Sequence, residues 1–139
     1  MVLDAQTLRD RTKQFAIRLV HLFRALPRSG DAQIVGKQVL RAGTSAAANY
    51  RTACRARSKP EFIAKLCIVV EEMDETSFWL ELMSDSGIMK PQRLTSLLQE
   101  AGELTRIFSS ARRTAMGDSS RVTAGGGNIT KSASHQVTQ

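Results

Sequence analysis

At 139 residues the chain has room for one domain of ordinary size, which excludes a multidomain enzyme. Apolar residues at 42% supply an aliphatic core and exclude wholesale disorder, whereas aromatics at 5% leave little with which to line a deep pocket. A net charge of +7 and a pI near 10.1 make a polyanion the natural neighbour, which is a statement about association and not about fold.

The first element is predicted from Leu8 to Leu26. Leu8, Phe15, Leu19, Leu22 and Leu26, with Thr12 in the remaining slot, alternate three- and four-residue spacings along one side of a helix. Val20 and Phe23 widen the stripe, and a face this wide suits a bundle better than a two-stranded coiled coil. Asp4 or Thr7 supplies an N-cap, and Pro27, Ser29 and Gly30 mark the end.

The second helix is predicted from about Asp31 to Arg57. Ile34, Gln38, Arg41, Ser45 and Ala48 share one face; Val35, Val39, Ala42, Ala46, Asn49 and Ala53 share the other, which is the one expected inside. After Leu40 that face is built almost wholly of small residues, which let a neighbouring backbone come close. Gly43, Thr44 and Ser45 are poor helix formers, so any kink or local break is expected there. Asn49, on an Ala-rich inward face, must satisfy its carboxamide. It reads as a polar lock onto a neighbouring helix or its own backbone, with a ligand contact as the other reading.

Ser58-Lys59-Pro60-Glu61 gives the third helix the clearest start in the chain: a capping serine, a proline in the first turn and a glutamate at the capping-box position. Phe62, Leu66, Val69, Met73, Thr76, Leu80 and Met83 form its stripe, and Gly87 suits a left-handed stop. Pro91 opens a fourth helix in which Leu94, Leu97, Ala101, Leu104 and Phe108 repeat the pattern to about Arg113. From Thr114 the pattern fades into glycine, serine and threonine. Residues 1–113 therefore read as one all-α domain, an antiparallel up-and-down four-helix bundle, and residues 114–139 as a disordered, flexible polar tail.

Charge is unevenly spread: residues 1–57 hold 11 basic against 3 acidic side chains, and residues 58–90 hold 3 against 7. The acidic cluster Glu71, Glu72, Asp74, Glu75 and Glu81 of the third helix is expected to face the basic first two helices within the bundle or across subunits, with Glu71 and Glu75, four apart, singled out as the structural or assembly pair. The densest basic run, Arg51, Arg55, Arg57 and Lys59, sits at the junction of the second and third helices. It has two readings. The basic side chains grip phosphates or another anion, or they cap the second helix and remain solvated.

Nothing in the chain is arranged for catalysis. His21 has no glutamate three positions before it, Glu71 and Glu75 have no histidine nearby, and His135 falls in the tail. Cys54 and Cys67, 13 positions apart, read as small apolar fillers and not as a disulfide or a zinc site. No Gly-rich phosphate loop occurs, and no apolar run approaches the ~18 residues of a membrane span. No enzymatic activity, cofactor, metal or membrane partner is expected, and a cytoplasmic location is.

The run from Leu40 through Ala46-Ala-Ala-Asn49-Tyr50 to Ser58-Lys-Pro-Glu61-Phe62, followed by Glu71-Glu-Met-Asp-Glu75-Thr-Ser-Phe-Trp79, resembles the four-helix-bundle family associated with intervening sequences in 23S ribosomal RNA genes. The similarity covers roughly residues 10 to 113. It implies a ring-like homopentamer without established enzymatic activity, with ribosomal RNA or another nucleic acid as the partner suggested by gene context. Arg41, Asn49 and the segment from Ser58 through Glu61 to Phe62 match positions typical of the family. Thr52 stands where most members carry a glutamate. The expectation is an oligomeric interaction protein, with nucleic-acid binding through Arg51, Arg55, Arg57 and Lys59 as the alternative.

Overall fold

Helix α1 (Ala5–Ala25) begins where Asp4 accepts a hydrogen bond from the Thr7 backbone N–H at 2.7 Å, so Asp4 is the cap and Thr7 is not. The same bond holds the Asp4 carboxyl below its usual range. The computed structural model describes residues 4–123, over which α2 (Gly30–Ala53), α3 (Lys59–Asp85) and α4 (Pro91–Thr123) follow. Connections of four or five residues force successive helices to run antiparallel. Each helix packs on the next, and α4 closes against α1, giving the up-and-down bundle that the periodicity predicts.

The predicted stripes are the buried ones except at Asn49 and Phe62, which are only partly buried. Phe15 and Leu19 of α1, Val39, Ala42 and Ala46 of α2, Leu66, Met73 and Leu80 of α3, and Leu94, Leu104 and Phe108 of α4 are almost wholly inaccessible to water. Two buried hydroxyls within the stripes are satisfied locally: Thr12 donates to the Leu8 carbonyl at 2.6 Å and Thr76 to the Glu72 carbonyl at 2.7 Å.

Helix α2 runs without a break through residues 43–45, against the expectation from propensity. The cause is tertiary. A Cβ on Gly43 would stand 2.0 Å from Leu19 Cδ1, so the absent side chain is the space that Leu19 fills, and this packing outweighs the weak local preference. The helix also ends at Ala53, short of Arg57.

At the start of α3 the Ser58 hydroxyl accepts from the Glu61 N–H at 3.2 Å, as expected of the cap. The Glu61 carboxylate, however, accepts from the Arg57 N–H at 3.4 Å, one residue ahead of the partner a capping box would use. Gly87, at φ 79°, takes the left-handed position after α3. Helix α4 continues to Thr123, past Arg113, because Ala111 and the buried Ala115 extend the stripe from Phe108 with side chains too small to stand out as a pattern. Residues 114–123 of the expected tail are thus helical, and the remainder lies outside the described residues. Among the described residues, no helix is long and apolar enough to cross a membrane.

Candidate functional site

Arg51 occupies the last turn of α2, and Arg55 the turn beyond it, where its N–H bonds the Thr52 carbonyl at 3.0 Å. Both line a groove of about 580 Å³ whose opposite wall, from the first half of α1, carries Gln6, Arg9, Asp10 and Lys13; Ala47 and Ala48 complete it. Arg57 and Lys59 do not line it. They are exposed in the α2–α3 connection and the first turn of α3, with Arg57 Nε 3.9 Å from Glu61 Oε1. The basic run is therefore divided, and half of it joins Arg9 and Lys13, which were not selected from the sequence. Their four-residue spacing in α1 was the available signal, but only packing shows that this face adjoins the end of α2.

The acidic helix meets α2 through a polar seam. Arg41 pairs with Glu75 and, at 3.4 Å, with Glu72; Ser45 donates to Glu72 at 3.3 Å; Trp79 Nε1 donates to Glu75 at 3.0 Å. Asn49, only partly buried although its face is the one expected inside, donates to the Ser45 carbonyl at 2.9 Å and to the Ser45 hydroxyl at 3.1 Å, so of the two expected partners, a neighbouring helix or its own backbone, it takes its own helix. The Trp79 N–H first, and then the Arg41 guanidinium, hold the Glu75 carboxyl below its ordinary value of 4.5. Its stabilising contribution is present above that value and is lost as pH falls through the lowered folded-state pKa.

Glu71 corrects the sequence reading. It is exposed and in no ion pair among the described residues; the carboxylate that joins Glu75 at Arg41 is Glu72. Helical spacing places Glu72 and Glu75 on the face toward α2, one turn apart, and turns Glu71 out to solvent. Glu75→Lys is accordingly expected to destabilise the fold by about 1 kcal/mol, the range of partly exposed pairs and single hydrogen bonds, and Glu71→Lys by less than about 0.5 kcal/mol. Urea-denaturation midpoints of the two variants check the order. Thr52, in the position of the family's usual glutamate, is exposed and donates to the Ala48 carbonyl at 3.1 Å, so the seam forms without it.

A second seam has no sequence signal. Arg11 Nε and Nη2 reach the two carboxylate oxygens of Glu100, each at 2.7 Å, and Nη2 reaches Glu103 at 2.6 Å, fastening α1 to α4. Tyr50, beside Asn49, is buried with its ring 4.9 Å from that of Phe108, and burial pushes its phenol well above the usual value. Among the described residues, no group of three or more His, Cys, Asp or Glu is placed to hold a metal ion.

Residues 6–110 match the family model described as 23S rRNA-intervening sequence protein. A crystal structure of a protein of unknown function from the S23 ribosomal protein family of Bacteroides thetaiotaomicron is similar, with 32% sequence identity and a TM-score of 0.74 over 80% of this chain and 99% of that one. No curated protein matches. With the bundle, the small-residue α2 face and the capped start of α3 all in place, the chain belongs to the 23S rRNA-intervening sequence protein family.

Proposed function

We propose that the protein is a cytoplasmic, non-enzymatic interaction module that works as a homo-oligomer, a pentamer by its family resemblance. The observation that carries this reading is an uncovered apolar strip on the α2–α3 face. Ile34 is 66% exposed, Phe78 53% and Leu82 37%. Arg41 pairs with Glu75; Ile34 lies seven residues before the first and Leu82 seven after the second, so the antiparallel pair brings them to one end of the seam. Apolar side chains gathered beside charged ones are what a protein interface offers. Light scattering at micromolar concentration should give a mass several times 15.3 kDa, and Phe78→Glu should reduce it while helicity is retained. A wild-type mass of 15.3 kDa at every concentration would overturn the reading.

A second reading, nucleic-acid binding, is favoured by a separate observation: the groove between α1 and α2 collects four basic side chains against one carboxylate. Assembly would multiply that groove, so weak sites could act together on one polyanion.

A further inference from the structure

We propose that the groove between the first half of α1 and the end of α2 is a channel for one strand of RNA, with Arg9 and Lys13 holding phosphates from one wall and Arg51 and Arg55 from the other. This rests on the nucleic-acid reading above and assigns it a place, residues and a ligand.

The cations of α1 and α2 are unequally partnered. Arg11 and Arg41, on the same two helices, each have two carboxylates. Among the described residues, Arg9, Lys13, Arg51 and Arg55 are in no ion pair, although they share one groove. Its single carboxylate, Asp10, accepts from the Gln6 side-chain Nε2 at 3.0 Å, while Arg9 donates to the Gln6 side-chain Oε1. Four like charges in one groove repel, and a bound polyanion relieves that repulsion. Helix stability accounts for only part of the cluster. Arg51 complements the negative end of α2, but Arg9 and Lys13 lie toward the positive end of α1, where a cation gains nothing from the dipole.

The lining also selects the ligand. No aromatic side chain faces the groove, so bases find no stacking platform and the contacts fall on the backbone, independent of sequence. Ala47 and Ala48 let a chain approach the helix closely. Three of the four cations are arginines, whose forked donors match phosphate oxygens. Asp10 would repel phosphate but can accept a hydrogen bond from a ribose 2′-hydroxyl, which an inorganic polyphosphate cannot offer.

The test uses the full chain and a fluorescent single-stranded 12-nucleotide RNA, titrated by anisotropy between about 50 and 200 mM salt. Two variants remove the same charge: Lys13→Gln with Arg55→Gln in the groove, and Arg57→Gln with Lys59→Gln outside it. All these positions are exposed, and circular dichroism checks that both variants fold. The groove variant should bind at least about tenfold more weakly at low salt. Its plot of log affinity against log salt should be shallower by about 1.4, which is two contacts at about 0.7 each on a single strand. The outer variant should change affinity by less than about threefold, and RNA should outcompete polyphosphate of equal charge.

No binding by the wild type at 50 mM salt would overturn both the nucleic-acid reading and the groove. Binding lost in the outer variant and kept in the groove variant would overturn the groove alone. Two further results would each overturn the assignment to RNA. One is tighter binding of polyphosphate. The other is a groove variant whose oligomer mass falls, which would give the groove to the acidic face of a second copy.

Discussion

Phe108→Ala is expected to lower the stability of the bundle by about 3–5 kcal/mol, the cost of truncating a large aromatic in a packed core. Phe108 is fully buried in α4, and its ring meets Tyr50 of α2 at 4.9 Å and 54°, so it joins two helices that lie diagonally across the bundle. Removing it forfeits burial, leaves a cavity that four antiparallel helices can only partly close, and strips Tyr50 of its aromatic neighbour. For a domain of this size the melting temperature should fall by about 10–20 °C. Tyr50 immediately precedes Arg51, so the last turn of α2 should loosen first, seen as faster amide exchange there than in α3. A loss below about 1 kcal/mol in thermal or urea unfolding would contradict the placement of this ring.

Gly43→Val is expected to destabilise by about 1–3 kcal/mol, although valine is the better helix former by a few tenths of a kcal/mol. The added Cβ alone would stand 2.0 Å from Leu19 Cδ1, 3.5 Å from its Cγ and 3.7 Å from Thr76 Cγ2. Leu19 is wholly buried among core neighbours and cannot swing clear, so α1 and α2 must separate and the groove they form must widen. Gly102→Ala provides the opposite sign. Its new Cβ would find only the flexible Arg106 guanidinium, at 3.6 Å, so the gain in helix propensity of roughly 1 kcal/mol should appear as added stability. Urea midpoints for the two glycine variants should move in opposite directions; a Gly43→Val midpoint equal to or above that of the wild type would show that the contact with Leu19 does not limit the α1–α2 approach.

Elements whose cause is local are legible in the residues alone. Leu66, Val69, Met73, Thr76, Leu80 and Met83 are buried because their spacing admits no other single face, and Ser58 caps α3 because its hydroxyl is three residues from the Glu61 N–H. Short connections then left little choice but an antiparallel bundle. Features that depend on which faces meet arise from packing. Residues 43–45 stay helical because Leu19 fills the space above Gly43, and Glu72 reaches Arg41 where Glu71 faces solvent. Arg11 finds Glu100 across 89 positions of chain. The basic groove belongs to the same class: Arg51 and Arg55 were legible as a charged run, but Arg9 and Lys13 joined them only when α1 was laid beside α2. Periodicity fixes the inward face of each helix, and the outward residues that a neighbouring helix brings together follow from packing, which one helix's spacing does not encode.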